Sequence, residues 1–262
     1  MTRRGFTLIE LIITMLVLAL LAIGVTSYIG LGARMYSDTA EREQILGQSR
    51  FVAERIVREV RNAAPNSVRV NTQAGVMSCL EFTPVAASGI YSQLPVAPES
   101  GTAVELQLFN WSSSLLNQPF VVYPTSSDDY YASSSARIML AATVTNSADI
   151  TSPANGATVK LTLSSAHSFP RHSPEQRFFI LQSSVSYCVA NNEIRRLTGH
   201  DFSAGMPAIG SGVLMAQGVT LAQFRVLPVI LTRNASLNML LQFGVAGSDM
   251  FFNYEVHLPN VP

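Results

Sequence analysis

The chain has 262 residues, 48% hydrophobic and 13% charged, with a formal net charge of zero. Charged residues fill about a quarter of an ordinary soluble domain, so polarity here falls to Ser, Thr, Asn and Gln, and nothing is basic enough for a phosphate-binding footprint. That argues against nucleic acid as a main partner, and with Lys160 the only lysine, amine chemistry would rest on that one residue.

The first element is an apolar run behind a short basic start. Arg3-Arg4-Gly5-Phe6-Thr7-Leu8-Ile9-Glu10 leads into Leu11 to Ala33, with no charge until Arg34. As helix the run measures roughly 35 Å at ~1.5 Å per residue, enough to cross a hydrocarbon core of about 30 Å with some tilt. Glu10 at its mouth is costly, by roughly 2.5–3.5 kcal/mol if placed centrally. It therefore needs a partner, and the run offers none. An ordinary secretory signal, with Ala22-Ile23-Gly24 as its cleavage site, leaves Glu10 unexplained. So does a plain single-span anchor.

The octet resembles the class III signal of type IV prepilins and type II secretion pseudopilins. The resemblance implies cleavage between Gly5 and Phe6 by a prepilin peptidase and N-methylation of Phe6. It also implies that Glu10 is the assembly acid, neutralised by the terminal amine of a neighbouring subunit. Residues 1–5 are then leader and 6–33 the transmembrane half of the helix. Within that half, Gly24, Thr26, Ser27, Gly30 and Gly32 form a patch of weak helix formers, either ordinary for a membrane span or able to loosen on leaving the bilayer. Family members often place a proline in this region; this chain has Ser27.

Residues 34–64 read as an amphipathic continuation. Ile45, Ser49, Val52, Ile56 and Val60 recur at helical spacing, widened by Leu46, Ala53 and Val57. Arg50, Glu54, Arg58 and Arg61 form the opposite, solvated face, with Glu54 to Arg58 as an i, i+4 pair. Asn62 to Asn66, containing Pro65, stops the helix.

From residue 65 to the end the period is two, which predicts a β-rich head. Strands are expected at 67–71, 76–83, 104–109, 120–123, 137–144, 158–163, 177–181, 185–189, 193–197, 219–227, 239–243 and 250–257. In the last, Met250, Phe252, Tyr254 and Val256 face one way and the residues between them the other. Asn155-Gly156 and, more weakly, Asn191-Asn192 signal hairpins. Loops are marked by Pro84, Pro95, Pro98, the serines at 112–114 and Asp128-Asp129. The class is α+β, a long helix on an antiparallel head with inserted loops. The stretches GQSRFVAERIVREVRNAAPNSVRV, SCLEFTPVAASGIYSQLP, SPEQRFFILQSSVSYC and YEVHLPNVP resemble the MshO-type minor pilins of the mannose-sensitive haemagglutinin (MSHA) pilus; the first also recurs in PilW-type pilins and J-type pseudopilins.

Few residues carry chemistry. Cys79 and Cys188, an even pair on predicted strands, favour a disulfide in an oxidising compartment; two separated thiols are the alternative. His167, His172, His200 and His257 are scattered and read as surface residues rather than zinc ligands. Ser126 to Tyr131 could offer oxygens to calcium but lacks the EF-hand pattern, and Asn234-Ala235-Ser236 matches a glycosylation sequon. No catalytic or phosphate-cradling motif is present, so neither enzymatic activity nor a cofactor is expected. The leading expectation is a minor pilin at the start or tip of a type IV pilus. It would insert in the bacterial inner membrane with a periplasmic head, then pass to the cell surface. Its partners would be the peptidase, other pilins and the inner-membrane assembly platform. The alternatives are a J-type pseudopilin of type II secretion and a tip adhesin using Tyr- and Ser-rich loops such as 128–135.

Overall fold

The computed structural model describes residues 7–71, 78–108, 112–132, 134–141, 158–200, 202, 212–227, 235–244 and 249–258. Helix α1 runs unbroken from Leu8 to Val60, about 80 Å at ~1.5 Å per residue. Thr7 caps it from an extended conformation, its side chain accepting the Glu10 N–H at 3.4 Å. Gly24, Gly30 and Gly32 are helical, with nothing within 4 Å of where a Cβ would stand. Thr26 turns its hydroxyl inward to donate to the Ala22 carbonyl at 2.7 Å, which satisfies a polar group on an apolar surface.

Everything from Leu8 to Gln44 is exposed, and burial begins at Ile45. The expected stripe is the buried one: Ile45, Ser49, Val52, Ala53, Ile56 and Val60. The helix stops at Val60, just ahead of the expected stop at Asn62 to Asn66. Tertiary pairing ends it early. Val85 donates to the Asn62 carbonyl at 3.0 Å and Ala64 to the Thr83 carbonyl at 2.8 Å, so these residues already belong to the head.

The head is built of antiparallel strands. In chain order they are β1 (Arg69–Asn71), β2 (Ser78–Phe82), β3 (Val85–Gln93), β4 (Gly101–Leu108), β5 (Pro119–Val122), β6 (Arg137–Met139) and β7 (Thr158–His167). Then follow β8 (Arg177–Leu181), β9 (Ser184–Ala190), β10 (Glu193–His200), β11 (Val213–Gln217), β12 (Val219–Leu227), β13 (Ser236–Phe243) and β14 (Met250–His257). The order β1-β2-β9-β10-β11 makes a five-stranded sheet and β12-β13-β14 a three-stranded one. Leu80, Phe82, Tyr187, Leu237 and Met239 of these sheets share one core with Val52 and Ile56 of α1.

The remaining strands, in the order β6-β5-β8-β3-β4-β7, form a six-stranded sheet with its own core around Phe120, Phe169, Phe178, Leu106 and Val159. Its outer strands meet: Leu140 bridges Leu163, and Ala141 donates to the Thr162 carbonyl at 2.8 Å. The sheet therefore curls into a barrel. This barrel is an insertion in the body. Phe82 lies opposite Val185 and Val85 opposite Leu181, so one two-stranded ribbon, β2–β3 against β9–β8, runs through both lobes.

Most strands lie where period two places them, with ends shifted by a few residues. Strands β3 and β11 fall in stretches without that signal, as do the short helix α2 (Asp128–Tyr131) and the 3-10 turn Ser113–Leu115. In β3, Gly89 is required by close approach: a Cβ there would stand 2.1 Å from the Gln107 carbonyl oxygen. Asn191 and Asn192 join β9 to β10 with φ of 51° and 62°, a turn whose twist suits a hairpin. Asn155-Gly156 lies outside the described residues. Strand β14 alternates as expected, with Met250, Phe252 and Tyr254 half-buried, Val256 buried and the residues between them exposed.

Candidate functional site

The N-terminal half of α1 is the largest uncovered apolar surface of the described residues. Leu8 is 78% exposed and Leu20 63%, and one continuous window is long and apolar enough to cross a membrane. Gly5 and Phe6 lie outside the described residues. Glu10 stands exposed in the first turn, where the aligned peptide dipoles favour a carboxylate. Among the described residues no cation bridges it. A charge so placed, at the mouth of an apolar helix, can be neutralised from outside the chain.

The other half of α1 is pinned to the body through Glu59. Tyr187 of β9 donates its hydroxyl to Glu59 Oε2 at 3.0 Å, Arg196 of β10 donates to the same oxygen at 2.9 Å, and Arg55 bridges Oε1. Burial pushes the Glu59 carboxyl up, but the hydrogen bonds from Arg196, Arg55 and Tyr187 outweigh it and hold the group below the usual carboxylate range. Arg55–Glu59 is thus the i, i+4 pair formed, rather than Glu54–Arg58. Arg50, Glu54, Arg58 and Arg61 are exposed. Nearer the apolar half of α1, the Ser49 and Tyr254 hydroxyls meet at 3.3 Å and Gln217 N–H donates to Gln48 at 3.1 Å.

Cys79 and Cys188 face each other across β2 and β9, joined by a disulfide with 4.1 Å between their Cα atoms. The close Cα spacing is that of a narrow antiparallel pair. The bond sits three residue pairs inside the ribbon from Phe82–Val185, where the barrel departs. At that departure the two lobes are tied by buried polar groups. Thr83 Oγ1 lies 3.1 Å from the Tyr131 hydroxyl and 3.2 Å from Ser184 Oγ. Tyr131 donates to the Ser67 carbonyl at 2.9 Å and Tyr130 to that of Pro65 at 2.6 Å. Arg69 stacks 3.8 Å over the Tyr131 ring and bridges Glu81. Burial raises the Glu81 carboxyl despite that arginine, and raises both tyrosine hydroxyls.

Within the stretch expected to be solvated, the two tyrosines depart from that reading, while Ser126, Asp128, Ala132 and Ser135 are exposed. Tyr130 and Tyr131 are 0% and 1% exposed, because α2 drives them into the joint between barrel and body. Asp129 spends its oxygens on Thr125 N–H (2.7 Å), Ser126 N–H (3.1 Å) and the Ser134 hydroxyl (2.8 Å). Among the described residues no three His, Cys, Asp or Glu side chains group as metal ligands. His167 meets the Ser135 carbonyl at 2.7 Å and His172 the Tyr91 hydroxyl at 3.3 Å. His257 is exposed on β14, and the His200 side chain and Asn234 lie outside the described residues. Ser236, the third residue of the sequon, is fully buried. Lys160 pairs with Glu105 at 2.9 Å on the surface. The Glu59 cluster and the tyrosine joint were missed in the sequence because every partnership but Arg55–Glu59 joins residues far apart in the chain.

The family described as the Prokaryotic N-terminal methylation motif matches residues 1–26. Among curated proteins and among solved structures, nothing matches the chain. Residues 1–26 therefore carry the N-terminal signal of type IV pilin- and pseudopilin-like proteins, the kind a prepilin peptidase processes, at the head of a helix long and apolar enough to cross a membrane.

Proposed function

We infer that the protein is a minor pilin of a type IV pilus of the MSHA kind, resembling the MshO type, and that it acts in fibre initiation or at the tip. The observation that carries this reading is the division of α1. Its first half is exposed throughout, while its second half packs into the core of the head. A soluble protein would have to cover that surface; a fibre subunit keeps it for the bilayer and then for the helices of its neighbours. Glu10 supplies register there, its charge met by the methylated amine of an adjacent subunit. Gly5 and Phe6 are the residues between which the peptidase cuts. The head occupies the periplasm before assembly and the cell surface after it. The protein works by assembly, without turnover.

The inserted barrel favours an end position. It adds a second core to the body, bulk that is easier to place where the subunit is not stacked on all sides. A J-type pseudopilin of a type II secretion system is the same device in a shorter fibre, and the J-like stretch at residues 47–70 supports it equally. For a tip adhesin, the barrel rather than the 128–135 loop is the candidate surface, since the tyrosines of that loop are buried.

Intact mass of the protein purified from membranes tests the processing step. The expected species begins at N-methyl-Phe6. A product starting near Val25, or an uncut Met1, would contradict the reading.

A further inference from the structure

Among the described residues, strand β14 leaves a long, regular edge open beside α1. Its eight residues pair with β13 in unbroken register from Met250 to His257. Other edges are short or irregular: β1 has three residues, and the ladders of β11 and β12 each carry a register shift. Sheet edges are normally blunted by a bulge, a proline, charged side chains or brevity; β14 has no bulge, proline or lysine, and Glu255 is its one carboxylate.

The phase of the edge is set by one bond. Leu258 N–H donates to the Ala235 carbonyl at 2.9 Å, in the same register as the ladder. Hydrogen-bonded pairs alternate along antiparallel strands, so the even-numbered residues of β14 bond to β13. The N–H and C=O groups of Phe251, Asn253, Glu255 and His257 then point to the open edge. No described residue meets them.

The core side of the same strand is incompletely covered. Met250, Phe252 and Tyr254 pack on the body core but stay half-buried, as does Val57 of α1. Between strand and helix lies a groove of about 380 Å³ lined by Ala53, Glu54, Val57, Arg58, Arg61 and Tyr254. Among the described residues no carboxylate bridges Arg58 or Arg61, which leaves the groove positive with only Glu54 opposing them.

We propose that the β14 edge and this groove receive an extended segment of a partner protein, apolar at alternate positions and acidic at the end that reaches Arg58 and Arg61. The ladder supplies the affinity of an added strand. Alternate side chains of the incoming strand drop over Val57 and Tyr254, and its carboxylates meet the two guanidinium groups. The proposal stands on the edge itself and not on the fibre reading.

The test uses the full chain in detergent micelles. The probe is a fluorescein-labelled eight-residue peptide alternating valine and threonine with two glutamates at one end, beside a counterpart ending in two lysines. Anisotropy should show the acidic peptide binding at least tenfold more tightly than the basic one. Asn253→Pro removes an edge donor while sparing the β13 ladder, and should abolish binding; Asn253→Ala should not. Arg58→Glu with Arg61→Glu should reverse the preference, and decides alone if circular dichroism shows that the proline variant is unfolded. No binding, equal binding to a folded Asn253→Pro, or an unchanged preference in the charge-swapped protein would overturn the proposal. So would a dimer by light scattering that Asn253→Pro dissolves, since a second copy would then fill the edge.

Discussion

Glu10 and Glu59 lie on one helix in opposite surroundings. Glu10 is exposed and unbridged among the described residues, whereas Glu59 accepts from Tyr187, Arg196 and Arg55. Glu10→Val should leave anchoring intact, because removing a carboxylate makes the span more apolar, yet reduce recovery in fibres severalfold. Carbonate extraction reads the first and sheared-fibre blots the second; wild-type recovery would remove Glu10 as a register device. Glu59→Gln should destabilise the head by about 1–3 kcal/mol near neutrality, towards the lower end because water reaches the group. The folded-state pKa of Glu59 is depressed, so its contribution is complete above the unfolded value of about 4.3 and is lost as pH falls through the folded value. The stability gap between wild type and variant should therefore shrink on acidification, as read by thermal unfolding of the full chain in detergent. Glu81 works oppositely: burial raises it, so its contribution is complete at low pH and fades as pH rises through the folded value. For that reason the variant comparison, not the wild-type profile alone, isolates Glu59.

At the scale of elements, the two-stranded ribbon is the feature on which both lobes depend. Gly89 sits on it between β4 and β8. Gly89→Ala would drive a methyl group into the Gln107 carbonyl and against the Phe178 ring, and overpacking of this kind costs typically about 1–3 kcal/mol. Chemical denaturation should show a lowered midpoint; an unchanged midpoint would contradict the close approach of β3 and β4 at Gly89. The same strand shows the limits of sequence reading. The α1 stripe from Ile45 to Val60 was legible because its apolar residues repeat with the helical turn, and β14 because Met250 to His257 alternates. Strand β3 was not, since Ala86-Ala87-Ser88-Gly89 offers no alternation and becomes strand through pairing on both edges. Tyr130 and Tyr131, flanked by Asp and Ser, looked solvated; their burial comes from contact with Pro65 and Ser67. Glu59 finds Tyr187 and Arg196 at separations of 128 and 137 residues, which no local pattern reveals.

At the scale of the molecule, α1 divides the labour, its first half left uncovered and its second half closing the core of the body. The barrel extends that body through a ribbon crossed by the Cys79–Cys188 bond. Such a subunit is costly to stack at every position of a fibre, so deleting its gene should lower the number of surface fibres although few copies are incorporated. Quantitative mass spectrometry of sheared fibres tests this most directly. The account predicts that the chain is present as a trace component whose N-terminal peptide begins at N-methyl-Phe6. Abundance near that of the main pilin, or absence from fibres with the full-length chain retained in the membrane, would contradict it.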